Sequence, residues 1–179
     1  FKNQEIDGII CLRGGYGTPR ILDLLDYKLI KENPKVFIGY SDITALHIAC
    51  NQLSNLVAFH GPMAASDLIG EFSDFSKESL LNSIMEGEYQ FAIKDPLDKI
   101  LTINGGIAEG PIIGGNLSLI TGTIGTPYEI DTKGKILFIE EIDEELQELV
   151  EECDLVPAGF TVHFGWNDGE IRTILYAIS

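Results

Sequence analysis

The chain has 179 residues, 45% hydrophobic and 22% charged, enough for one sizeable core but without an apolar run of membrane-spanning length. Twelve Lys and Arg against 28 Asp and Glu leave a net charge of −16, a field that repels nucleic-acid phosphates and anionic lipid, so neither partner is expected. The three cysteines, Cys11, Cys50 and Cys153, are scattered and form no CxxC pair, which disfavours a disulfide framework or a zinc site and fits a reducing compartment. Phe1 is not an initiator methionine, and the start reads as a fragment boundary.

In chain order, the apolar run Gly8 to Leu12 predicts a strand, the glycine-rich turn Arg13 to Gly17 follows it, and a helix is expected from about Pro19 through Leu25. Lys35 to Gly39 predicts a second buried strand running into a helix over Asp42 to Leu53. A strand near Leu56 to Phe59, a turn at His60-Gly61-Pro62 and an amphipathic helix around Phe75 to Met85 come next. Short strands joined by helices imply a mostly parallel sheet flanked by helices, an α/β, Rossmann-like lobe over residues 1–88. Between Tyr89 and Pro127 the pattern turns β-like and glycine-rich, and Lys135 to Ile139 is another buried strand, ending in Glu140 and Glu141. Residues 89–145 therefore read as a β-rich bridge and the start of a second, partial lobe. A helix is expected over Glu144 to Cys153, and residues 146–179 form a tail of unassigned structure.

Four places can carry chemistry. Ser41 closes the second strand in Gly39-Tyr40-Ser41-Asp42-Ile43, which follows the strand, sharp turn and helix logic of a nucleophile elbow but departs from G-x-S-x-G at its last position. Serine is also a favoured N-cap, and the local pattern alone favours the cap. The Gly14-Gly15 turn lies at the same carboxyl edge of the sheet, where glycines let backbone amides approach a substrate oxygen; with the amide of Asp42 they are candidates for an oxyanion hole. The alternative is a tight connection that needs glycine for positive φ. Glu140 ends an apolar strand and could orient a histidine, or could belong to a solvated acidic run. Asn116 follows Gly114-Gly115 and opens a predicted helix over Leu117 to Thr121, as an N-cap or as a donor to a substrate carbonyl. His47, His60 and His163 show no metal-ligand spacing, so a metal hydrolase is not expected.

These segments, Leu12-Arg13-Gly14-Gly15-Tyr16-Gly17, Ile38-Gly39-Tyr40-Ser41-Asp42-Ile43-Thr44, His60-Gly61-Pro62, Gly114-Gly115-Asn116-Leu117 and Leu137-Phe138-Ile139-Glu140, together resemble the LD-carboxypeptidase family of serine peptidases, which includes the muramoyltetrapeptide carboxypeptidases and the microcin C immunity proteins. The resemblance implies a cytoplasmic Ser-Glu-His peptidase without metal or organic cofactor that cleaves the L,D amide before the terminal D-alanine of a murein tetrapeptide in cell-wall recycling. Ser41 would be the nucleophile and Glu140 the acidic triad member. The amides of Asp42 and Gly15 would form the oxyanion hole, with Arg13 and Asn116 on the substrate side. The microcin-immunity reading shares the triad but hydrolyses a peptide-nucleotide conjugate. A non-catalytic domain that binds a peptide in the same crevice is the reading from a different class.

The family carries a further strand and helix ahead of the Arg-Gly-Gly-Tyr-Gly segment, and its histidine lies in a later Gly-His motif that this sequence does not contain. The tail, residues 146–179, does not resemble the family, and His163, in Val162-His163-Phe164-Gly165, is not in that motif and is not assigned the role. A chain limited to these residues is therefore expected to be inactive, and an exposed sheet edge would favour self-association, a homodimer included.

Overall fold

A computed structural model describes residues 1–70, 72–85, 101–104, 106–141, 162–167 and 170–177, and for 101–104, 162–167 and 170–177 the backbone only. The chain divides into two compact units, residues 1–93 with 123–129, and residues 94–122 with 130–179. Among the described residues no helix is long and apolar enough to cross a membrane.

The first unit is built on a three-stranded parallel sheet in the order β1-β2-β3, with β1 at Gly8–Ile10, β2 at Val36–Gly39 and β3 at Phe59–His60. Gly8 stands opposite Val36, Ile10 opposite Ile38, and Gly39 opposite His60. The first expected helix is instead a 3-10 helix, Thr18–Leu24, started by a proline in its first turn and followed by the short helix α1, Tyr27–Glu32. The sequence pattern did not single out α1, although Asp26 is a favoured N-cap and its carboxylate accepts the Leu29 N–H at 2.9 Å.

After β2 a single 3-10 turn, Ser41–Ile43, leads into α2, Thr44–Ser54. Helix α2 buries Ala45, Ile48, Ala49 and Cys50. Its end explains why β3 is shorter than expected. Asn55 takes the left-handed conformation and the Leu56 N–H bonds back to the Cys50 carbonyl at 3.3 Å, so Leu56 closes the helix and is not free to join the sheet. Ile30, Phe37, Ile43, Cys50, Leu56 and Met63 form one buried cluster. Helix α3, Asp74–Ile84, is capped by Ser73, whose hydroxyl accepts the Ser76 N–H at 3.1 Å; none of its residues is fully buried. The stretch 123–129 returns to this unit through Tyr128, whose hydroxyl donates to Asp23 at 2.6 Å.

The second unit holds a five-stranded mixed sheet in the order β4-β7-β8-β6-β5. Its strands are β4 (Leu101–Asn104), β5 (Ile112–Asn116), β6 (Ile136–Glu140), β7 (Val162–Asn167) and β8 (Glu170–Ala177); helix α4, Leu117–Gly122, follows β5 directly. Strands β5 and β6 are parallel, with Gly114 opposite Phe138 and Asn116 opposite Glu140. The tail, to which the sequence pattern assigns no structure, supplies the antiparallel pair β7 and β8, and β8 pairs with β6. The expected helix over Glu144 to Cys153 lies outside the described residues.

Candidate active site

Strand β2 carries the apolar run Val36-Phe37-Ile38 to the sheet edge and ends on Gly39, where an added Cβ would stand 3.0 Å from the Ile43 side chain. Tyr40 is extended, and then Ser41 turns to a φ of +59°. That conformation costs a non-glycine residue about 1–2 kcal/mol. Among the described residues only Asn55 shares it outside glycine, and Asn, unlike Ser, visits it readily. Burying a side chain such as Ile43 or Ile48 stabilises by about 1.5–3 kcal/mol, so the packing of the following helix can hold the strained turn in place. Ser41 is half-buried, and neither the 3-10 turn nor α2 has a side-chain capping bond. Among the described residues the cap alternative for Ser41 thus has no hydrogen bond behind it.

The glycine-rich turn after β1 lies against this hydroxyl. The Cys11 N–H donates to the Ile38 carbonyl at 2.9 Å and prolongs the pairing of the two strands. A Cβ on Gly14 would lie 3.3 Å from both the Cβ and the Oγ of Ser41, and 3.6 Å from Cε of Met63. Gly15, with a φ of +154°, instead faces the Asp42 carboxylate. The glycine that touches the serine is therefore Gly14, the neighbour of Gly15, which the family resemblance names for the oxyanion hole. Arg13 is exposed at the start of the turn, beside the exposed side chains of Leu12 and Tyr16.

Asp42 is only 4% exposed, and its carboxylate is spent on the same turn. Oδ2 accepts the N–H groups of Gly17 at 2.9 Å and Thr18 at 3.1 Å, while Oδ1 lies 3.0 Å from the Thr18 hydroxyl. That hydroxyl also donates to the Asp42 main-chain carbonyl. The loop after β3 closes the other side. The amides of Ala64 and Ala65 donate to the carbonyls of Cys11 and Leu12 at 2.9 and 2.8 Å, and Asp67 accepts the Met63 N–H at 2.8 Å and the Tyr40 hydroxyl at 3.2 Å. A cavity of about 380 Å³ lies between the end of β3 and α3, lined by Phe59, His60, Pro62, Ser76, Ser79 and Leu80 among others.

In the second unit Glu140 ends β6 and is 7% exposed; Glu141 is 8% exposed. The opening of the acidic run is thus buried and does not form a solvated face. Asn116 does act as a helix cap, its Oδ1 accepting the Leu119 N–H at 3.2 Å, while its Nδ2 donates to Glu141 at 3.1 Å. Glu141 also accepts the N–H and hydroxyl of Ser118 at 3.1 and 2.6 Å. The sequence reading missed Glu141 as an organising residue; a second acid at the end of an apolar strand was the available signal. Gly114, at a φ of +144°, has no room for a side chain, since a Cβ would meet the Phe138 carbonyl oxygen at 1.8 Å.

Among the histidines, His47 is buried in α2 with its ring edge-on to Phe37 at 5.0 Å. Its Nε2 has no hydrogen-bond partner among the described residues, and burial, with a smaller contribution from His60, pushes its pKa down to about 3. A neutral, enclosed imidazole of this kind packs as part of the core. His60 is exposed at the end of β3, beside the Tyr40 ring. His163 lies on β7 opposite Thr102.

Models of the LD-carboxypeptidase N-terminal domain and C-terminal domain match residues 1–61 and 109–153, together more than half of the chain. The probable murein peptide carboxypeptidase of Bacillus subtilis (strain 168) is 46% identical over 146 residues, covering 81% of this chain and 45% of its own length. The microcin C7 self-immunity protein of Escherichia coli is 32% identical over 166 residues, 78% of this chain and 48% of the relative. The chain thus spans about half the length of the curated relatives it matches. A crystal structure of a microcin-immunity-like protein from Bacillus anthracis str. Ames superposes with a TM-score of 0.72 at 30% identity, over 87% of this chain and 56% of the other. Two domain matches in their family order, close relatives of one kind and a shared fold lead to one conclusion: the chain belongs to the LD-carboxypeptidase family.

Proposed function

We propose that the protein carrying these residues is a serine carboxypeptidase that hydrolyses the L,D amide before the terminal D-alanine of a cytoplasmic murein tetrapeptide. The observation that carries this reading is the Ser41 turn: a strained, half-buried hydroxyl at the end of a parallel strand with a glycine against its oxygen. In this scheme the Ser41 oxygen attacks the amide carbonyl carbon and a histidine accepts its proton. The amides of Asp42 and of the Gly14-Gly15 turn stabilise the developing oxyanion, and Glu140 orients the histidine. The protonated amine of D-alanine departs, and water then releases the shortened peptide from Ser41. Arg13 and Asn116 are the proposed substrate-side groups. The histidine is not assigned within these residues, and a polypeptide without it should turn over about four to six orders of magnitude more slowly.

The test is release of D-alanine from murein tetrapeptide by the complete protein. Release that falls by at least about 10⁴-fold in Ser41→Ala supports the reading. Absence of release by the wild type, or undiminished release by Ser41→Ala, overturns it. The relative named as a microcin self-immunity protein favours a second reading, hydrolysis of a peptide-nucleotide conjugate by the same serine. Assaying both substrates side by side separates the two.

A further inference from the structure

We propose that the Asp42 side chain is a positioning residue that holds the Gly14-Gly15 turn at the distance from Ser41 where its amides can meet an oxyanion. The inference rests on the nucleophile assignment above but concerns a different group, a carboxylate that touches no reacting atom. Among the described residues Gly14 meets the serine by contact and not by a bond that would fix the spacing, and the turn is otherwise exposed at Arg13, Tyr16 and Gly17. The backbone pairing of β1 with β2 reaches as far as Cys11, and the next tie on the far side of the glycines is the Asp42 carboxylate at Gly17 and Thr18. Because Asp42 directly follows Ser41, the carboxylate joins the turn to the residue whose own amide is the other proposed donor. One side chain therefore sets both donors relative to one hydroxyl. A buried carboxylate is costly to keep, and the three hydrogen-bonding groups that Gly17 and Thr18 offer it account for its presence.

The geometry also says which substitution should rescue the role. The Thr18 hydroxyl shares its one proton between the Asp42 carbonyl and Oδ1, so an asparagine amide placed where Oδ1 stands could donate to the Thr18 oxygen while its carbonyl replaces Oδ2. Asp42→Ala in the complete protein is expected to lower kcat for D-alanine release by about 10²- to 10³-fold, with KM within about twofold, the size of losing an oxyanion donor. Asp42→Asn is expected to recover at least about tenfold of that loss. Affinity for a peptide boronate, which forms a tetrahedral adduct on the serine, should fall in parallel with kcat, while affinity for the product peptide stays constant. A kcat within about threefold of wild type in Asp42→Ala, a loss confined to KM, or an asparagine variant as poor as alanine overturns the proposal. Should Asp42→Ala fail to fold, Thr18→Val decides: a fall of at least about fivefold in kcat at unchanged KM and melting temperature supports the clamp, and no fall overturns it. Wild-type release together with an inactive Ser41→Ala shows that the peptidase reading stands, so a silent Asp42 then defeats the clamp alone. An active Ser41→Ala defeats both.

Discussion

The ends of β2 and β6 invite comparison, because each carries, at its last residue or two residues beyond it, a candidate catalytic residue followed by a buried acid. Asp42 reaches back to the turn after β1 and Glu141 to the start of the helix after β5, each accepting backbone and hydroxyl donors from the neighbouring parallel strand's exit. The difference lies in the preceding residue and in the glycines. Ser41 follows the strand with a positive φ, and a Cβ on its neighbour Gly14 would press on the serine side chain, at 3.3 Å from both its Cβ and its Oγ; Glu140 stays in strand register opposite Asn116, and Gly114 is wedged against the β6 backbone. Similar local devices thus serve two ends: the first presents a hydroxyl, the second keeps two carboxylates dry and ordered. Glycine next to a reacting atom and glycine inside a sheet are both required, for reasons that substitution can separate.

The sharpest break comes from Gly114→Ala. A Cβ there overlaps the Phe138 carbonyl and the backbone is at a φ of +144°, so the second unit should lose about 4 kcal/mol or more, read as loss of amide protection in β5 and β6. Gly14→Ala should do the opposite. It should leave the melting temperature nearly unchanged and cut D-alanine release by about 10²-fold, whereas Gly17→Ala, with nothing within 4 Å of its added Cβ, should leave the rate intact. If Gly14→Ala unfolds the protein while release by the folded fraction is normal, the functional reading of that contact is wrong. Glu141→Ala strips the partners from Asn116 and Ser118 and should cost about 1–3 kcal/mol in urea unfolding.

The smallest expected effect concerns acid. Burial holds the folded-state pKa of His47 near 3 against 6.5 in a free chain. As pH falls below that higher value the unfolded chain binds the proton first, so stability present at neutral pH is lost between the two values, with a slope of at most about 1.4 kcal/mol per pH unit. His47→Phe should remove about 2 kcal/mol of the destabilisation seen between pH 7 and pH 5, measured by urea unfolding at both. An unchanged acid branch would show that the imidazole is hydrated.

Much of the site was legible because its signals are local. The apolar run of β2, the serine after Gly39-Tyr40, the glycine turn after β1 and the acid that ends β6 are each written in fewer than a dozen consecutive residues. The resemblance to a peptidase family rests on the same segments, and the domain matches cover them. Where the reading fell short, partners far apart in sequence were decisive. The local pattern puts Leu56 in a strand although it closes α2, and gives the tail no structure although β8 pairs with β6.

What the sequence by itself determined is the alternation of strand and helix in the first unit and the residue types at the strand ends, since period, turn chemistry and capping act within a few residues. Only the tertiary structure decided that Gly14, and not Gly15, touches the serine, that Ser41 is strained and uncapped, and that Asp42 and Glu141 are each committed to a neighbouring strand's exit. Those facts depend on parallel strands that bring together residues 23 or more positions apart in the chain, where register and burial, not local preference, choose which groups meet.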